Sequence, residues 1–258
     1  MRSVFTIRLL PCILAAMLAV SCAPKTKKGE TVVKDCVLPE EQVNTLQGRW
    51  ATAPIKLAFR TGDWATDQVT DIQNAASTWN TFFNLSKGFA IFESGPAGTG
   101  NASVANQATP DCRVGTGGST EGVVIYRRQS NWTGSAAQAA VTTTCYQLRS
   151  NDVPLLFNAI IEVNYRNYFG GGMQSPALDL QSVAVHELGH LMGLDHSCGP
   201  LGTPNKSKDN VACPDSSNTG DPLVQAVMYP NLNYDDSGGE LKRTLGTNDQ
   251  GRANCLYE

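Results

Sequence analysis

Short apolar stretches of clear periodicity alternate along the chain with long polar ones rich in glycine, serine, threonine and asparagine. Pro54-Ile-Lys-Leu-Ala-Phe59 shows the every-other-residue pattern of a half-buried strand, and Gly62 with Asp63 turns the chain after it. Val69, Ile72, Ala76, Trp79 and Phe83 then recur at three- and four-residue steps, one face of a helix that Thr66 caps and whose first turn suits Asp67. Those five are core candidates. Gly122-Val-Val-Ile-Tyr-Arg127 and Asn158-Ala-Ile-Ile-Glu-Val-Asn-Tyr165 are apolar, β-branched runs, read as strands of the same sheet. Between them lies a polar, small-residue loop carrying Cys145, and a longer loop from Gly95 to about Thr120 carries Cys112. Asp179 is placed to cap a helix from about Leu180 through Leu191. A further Gly-, Pro-, Asn- and Ser-rich stretch, 199 to 222, leads to Val227-Met-Tyr-Pro230, and Asn248 to Tyr257 forms a closing helix. No internal repeat is present.

One apolar run fits none of these elements. Leu9 to Val20 follows Arg2 and Arg8 and is too short to span a bilayer, which is the layout of a secretory signal, so residues 1–21 are set apart from the fold. Leu18-Ala-Val-Ser-Cys22 resembles the lipobox of bacterial lipoproteins, in which that cysteine is lipidated and becomes the mature N-terminus. The expected location is then a bacterial membrane, with the protein facing the periplasm or the exterior. An ordinary signal with an incidental cysteine, giving a secreted soluble protein, is the alternative. Residues 22–49, with Lys25, Lys27 and Lys28, read as a tether and lead-in to a domain at 50–258.

The 258 residues have room for one large domain or two small ones. A net charge of -3 leaves no basic excess, which excludes a nucleic-acid binder. Of the eight cysteines, Cys12 leaves with the signal and Cys22 is taken by lipid. The remainder, Cys36, Cys112, Cys145, Cys198, Cys213 and Cys255, is even in number, and an exported chain meets an oxidising compartment, so disulfides are expected. Sequence leaves their pairing open; the pairing carried forward is Cys112 with Cys145, Cys198 with Cys213 and Cys36 with Cys255. None shows the CxxC spacing of a structural zinc site.

The candidate chemistry lies in His186-Glu-Leu-Gly-His-Leu-Met-Gly-Leu-Asp-His196, which contains all three histidines of the chain. Helical residues four apart share a face, so His186 and His190 offer two imidazoles to one point, a geometry that suits zinc. Glu187 lies about 100° round the helix, within reach of a water on the metal without ligating it, as a general base would. Gly193 can take the left-handed conformation that ends the helix and returns His196 to the metal. Three imidazoles leave the fourth position open, the arrangement of a catalytic zinc.

These residues resemble the metzincin clan of zinc endopeptidases, and within it the matrixin family. Ser197 directly after the third histidine and Val-Met-Tyr-Pro at 227–230, similar to the methionine turn, support the narrower likeness. It implies an α+β catalytic domain over 50–258 with a twisted mixed sheet, an active-site helix and a C-terminal helix, and with Met228 as a hydrophobic floor beneath the metal. A peptide or protein substrate is expected to lie along an edge strand and to be hydrolysed internally by a monomeric enzyme. A non-catalytic peptide-binding surface protein that keeps the zinc cleft is the alternative, against which the presence of Glu187 counts. One zinc is expected, because no further histidines remain for a second. Asp235, Asp236 and Glu240 form an acidic group that either binds calcium or is simply solvated. Cys36 is read as a disulfide partner before a latency thiolate. The stretch between His196 and Met228 is longer than in typical matrixins, and Asn231 to Tyr234 departs from their aromatic spacing.

Overall fold

Two helices bury their apolar stripes against one face of a mixed sheet. In the computed structural model the described residues are 32–60, 62–94, 112, 123–132, 134–149, 152–169, 178–199, 211–235 and 238–258. The signal segment, Cys22 and Asp236 lie outside them. The sheet comprises β1 (Arg49–Trp50), β2 (Ile55–Phe59), β3 (Phe92–Ser94), β4 (Val123–Arg127), β5 (Ala140–Arg149) and β6 (Asp152–Val163). β3, β2, β4 and β6 are parallel neighbours in that order, with Leu57 opposite Val123 and Val124 opposite Ile160. β1 extends the sheet beside Leu155 and Leu156 of β6, and β5 runs antiparallel along β6. Helices are α1 (Thr66–Ser86), the short α2 (Tyr165–Tyr168), α3 (Leu180–Met192), the short α4 (Pro222–Gln225) and α5 (Thr247–Leu256); β7 (Tyr234–Asp235) and β8 (Gly238–Gly239) form a small hairpin. This is the mixed sheet, active-site helix and C-terminal helix expected from the sequence.

Alternation along the central strands divides the core in two, because successive strand side chains point to opposite faces. Leu57, Phe59, Val123, Ile125 and Ile161 face α1, α3 and α5, whereas Ala58, Val124, Tyr126 and Ile160 form a separate cluster. All five α1 core candidates are buried. Trp79 is the tie between layers: it is fully buried, and its indole N–H donates to the Val185 carbonyl of α3 at 2.9 Å. Thr66 is the first helical residue rather than the cap; the cap is Ala65, whose N–H is met by Gln68 Oε1 at 3.1 Å.

The segment around Cys145, expected as loop, is the ten-residue strand β5. Its run Val141-Thr-Thr-Thr144 is β-branched and so favours strand, but its polarity hid the pattern. An edge strand tolerates that polarity because its main chain pairs on one side only. Among the described residues β5 pairs only with β6.

Both chain ends of the described unit meet. A 3-10 helix (Glu40–Thr45) precedes β1, and Asn254 donates to the Val33 carbonyl at 2.8 Å while Gln250 accepts from Val33 N–H at 2.9 Å. Val32–Glu258 is accordingly a single compact unit that includes residues 32–49 of the lead-in. The disulfides are Cys36–Cys255, Cys112–Cys145 and Cys198–Cys213, the pairing carried forward from the sequence. Among the described residues no helix is long and apolar enough to cross a membrane.

Asp179 sets the start of α3. Its carboxylate accepts from Ser182 N–H at 2.8 Å and from Arg243 Nε at 2.9 Å, with a second, shorter bond from the Arg243 guanidinium. Burial pushes this carboxyl up, but the bonds from Arg243 and Ser182 outweigh it and hold it below the ordinary range. A depressed folded-state pKa stabilises the fold above the unfolded value of about 3.9, and that stability is lost as pH falls through the folded value. Asp179→Ala is therefore expected to cost about 1–2 kcal/mol in urea unfolding at pH 7, the size of a lost N-cap. The difference from wild type should shrink when the titration is repeated below pH of about 4.

Candidate metal centre

α3 carries the histidine motif because its apolar residues, Val183, Ala184, Val185, Leu188 and Leu191, are buried among the core, leaving His186 and His190 together toward the cleft. The helix stops at Gly193, whose φ of 113° is left-handed. Leu194 N–H reaches back to the Gly189 carbonyl at 3.0 Å, closing the last turn as a glycine C-cap does. A second reason demands glycine here: a Cβ at 193 would collide with the Gly48 carbonyl oxygen. From this reversal the chain runs back so that the His196 ring lies 4.8 Å from that of His190 and 5.2 Å from that of His186, centroid to centroid.

The nitrogens converge as ligands. His186 Nε2 and His190 Nε2 are 3.0 Å apart, and one donor atom from each of the three histidines lies within 4.8 Å of the others. The opposite ring nitrogens are committed: His186 Nδ1 meets the Val227 carbonyl at 2.7 Å and His190 Nδ1 the Leu194 carbonyl at 2.8 Å. A carbonyl only accepts, so in both rings Nδ1 holds the proton and Nε2 presents a lone pair, the outer-shell arrangement of zinc-binding imidazoles. Burial, and then the neighbouring His190, push His186 down to about 3; burial, and then His196, push His190 down to about 4. Both rings are neutral and able to ligate at pH 7. Nitrogens at about 2.0–2.1 Å from a shared tetrahedral zinc ion sit about 3.3 Å from one another, close to the His186–His190 separation, and three imidazoles are a donor set that suits that metal. It offers no carboxylate ligand of the kind calcium or magnesium requires. Among the described residues this is the one cluster able to hold a metal.

Glu187 lies on the same helix, 5% exposed, with Thr142 Oγ1 of β5 donating to its Oε2 at 2.6 Å. Burial pushes its pKa up to about 7, against the lowering effect of the Thr142 bonds. A cleft of about 630 Å³ opens over the three histidines and Glu187; Thr142 and Thr144 of β5 line one wall, and Leu178, Tyr229 and Leu232 contribute apolar surface.

Support comes from three directions. Met228 is fully buried and packs so closely under α3 that a Cβ on Gly189 would strike its Sδ, and its carbonyl accepts from Ser197 N–H at 2.8 Å. Asp249 of α5 accepts from Val227 N–H at 2.8 Å and Met228 N–H at 3.2 Å, fixing the turn whose carbonyl orients His186. Arg252, one helical turn on, donates to the carbonyls of Asp195 at 3.0 Å and His196 at 3.3 Å. The lead-in supplies the rest: the Thr45 carbonyl accepts from Asp195 N–H at 2.7 Å, and Gln42 Nε2 donates to the Ser197 carbonyl at 2.5 Å.

His186, Glu187, His190, Gly193, His196 and Met228 thus meet in one place. Thr142, Asp249, Arg252 and Gln42 join them without having stood out in the sequence. For Asp249 and Arg252 the only signal in the sequence is the three-residue spacing of opposite charges on the closing helix. Cys36 is bonded to Cys255, so it offers no thiolate to the metal. Cys198–Cys213 staples the long stretch before the methionine turn.

Residues 49–201 match the matrixin family profile. A search of curated proteins found no match.

Gly193→Ala tests the helix reversal. A strained left-handed alanine together with the clash at Gly48 is expected to cost about 2–4 kcal/mol in denaturant unfolding. The same variant should surrender zinc to a competing chelator more readily than wild type, since His196 is then displaced.

Proposed function

The chain belongs to the matrixin family, and on that footing we propose that it cuts proteins outside the cytoplasm while a lipid on Cys22 holds it at a bacterial membrane. The protein is a zinc metalloendopeptidase, and the observation that carries this is the convergence of His186, His190 and His196 beside Glu187. A zinc ion held there supplies Lewis-acid chemistry, polarising the scissile carbonyl and acidifying a water.

The chain's own residues do the remainder. The edge of β5 that pairs with no other strand among the described residues offers main-chain groups to a substrate strand, which orders the peptide across the cleft. Glu187 accepts a proton from the attacking water at a carboxylate oxygen and delivers it to the departing amine nitrogen. A carboxyl at about 7 is matched to both tasks near neutral pH. His186 and His190 keep their Nδ1 protons on backbone carbonyls throughout, so neither ring competes as an acid. No side chain becomes acylated. The competing reading, a peptide-binding protein without catalysis, leaves the buried carboxyl of Glu187 without purpose, because burying it costs free energy that binding through main-chain groups does not recover.

The anchor rests on Leu18-Ala-Val-Ser-Cys22 following the apolar run after Arg2 and Arg8. Residues 1–21 are then signal, and Cys22 opens the tether and lead-in over 22–49. The enzyme works as a monomer on substrates near that surface.

Two measurements test this. Glu187→Ala should hydrolyse casein about 100- to 10,000-fold more slowly than wild type, and a zinc chelator should abolish wild-type activity until zinc is restored. Equal rates in the variant, or indifference to the chelator, defeat the mechanism. Mass spectrometry of the exported protein should find a lipidated Cys22 at the N-terminus; an unmodified cysteine defeats the anchor.

A further inference from the structure

Glu187 has several side-chain torsions, and residence on α3 does not by itself aim its carboxylate. The group that meets it comes from across the cleft. Thr142 Oγ1 lies 2.6 Å from Glu187 Oε2 and 3.1 Å from the Glu187 main-chain oxygen. A threonine hydroxyl has one proton to give, and the carboxylate is both the nearer and the stronger acceptor. The distance is that of a charge-assisted O–H···O bond. Thr142 is itself stiff, because a β-branched side chain in a strand has few χ1 options. Among the described residues no other group hydrogen-bonds to the Glu187 carboxylate, which lines the cleft, so Oε1 is the oxygen left to a water there.

We propose that Thr142 is a positioning residue for hydrolysis: it pins Oε2 of Glu187 and so presents Oε1 to the attacking water. The inference rests on Glu187 being the base. Thr142 also belongs to the strand edge that receives the substrate, so pairing of a peptide with β5 steadies the residue that aims the base. Ordering of substrate and of carboxylate are thereby linked through one side chain. The effect belongs in the chemical step, because Thr142 hydrogen-bonds to none of the three histidines and its side chain is not needed for main-chain pairing.

The test uses the zinc-loaded enzyme and a quenched fluorescent peptide. Thr142→Val keeps the shape and removes the hydroxyl; kcat should fall about 10- to 100-fold while KM changes less than about threefold. Thr142→Ser restores the hydroxyl and should return kcat to within about threefold of wild type. Zinc retention against a coloured chelator should be the same in all three. Combined with Glu187→Gln, Thr142→Val should have no further effect, as both then remove one interaction. Thr142→Ala is carried alongside, and the judgement is made on whichever hydroxyl-free variant keeps the wild-type melting temperature. A wild-type kcat in that variant while Glu187→Gln is inactive overturns the role of Thr142 and leaves the base in place. A fully active Glu187→Gln overturns both. A loss confined to KM or to zinc retention, or a Ser variant as slow as Val, overturns the positioning role.

Discussion

The site depends on a chain reversal at one residue. α3 can present two imidazoles on a single face, but helical geometry carries the next ligand away from them, so the third must come from chain that has turned back. Gly193 makes that turn with a φ of 113°, in a space already filled by the Gly48 carbonyl. The same turn brings the Leu194 carbonyl to His190 Nδ1 at 2.8 Å. One backbone conformation thus ends the helix, orients the second imidazole and delivers the third.

What keeps the returning segment in place is mostly not local. Asp195 to Ser197 are held by Thr45 and Gln42 from the lead-in, by Met228 from the methionine turn and by Arg252 from α5. Asp249, on that same helix, fixes the turn that orients His186. Residues far apart in sequence are therefore joined in one network of buried main-chain acceptors and donors. Each buried polar group left unpaired in such a network carries its own cost, and Arg252 Nη2, 3.9 Å from Asp249 Oδ1, has no hydrogen bond among the described residues.

The motif His186 to His196, the turn at Met228 and the helices around them were legible because each has a periodicity or spacing that a single segment displays. Val69 to Phe83 likewise announced their burial by recurrence alone. β5 was not legible as strand: Val141-Thr-Thr-Thr144 lacks the apolar alternation of a buried strand, since its value to the fold is main-chain pairing with β6, its one partner strand among the described residues. Thr142 went unseen for the same reason. Its partner, Glu187, lies 45 residues further on, and no local pattern encodes a contact of that kind. The lead-in looked like linker because its contribution is made by backbone groups, the Gln42 side chain and a disulfide rather than by an apolar stripe. The role of Arg252 was not legible because burial of its guanidinium depends on carbonyls contributed by another segment.

The bond between Cys36 and Cys255 has a consequence for the order in which the enzyme comes into being. It joins positions 219 residues apart, and Arg252 and Asp249 lie within the same closing helix. A polypeptide still being made has not yet supplied that helix. The histidines are all present by then, but the loop bearing His196 lacks its braces from α5. Catalytic competence therefore arrives late: the third ligand is braced only once α5 has docked and the bond between Cys36 and Cys255 has closed.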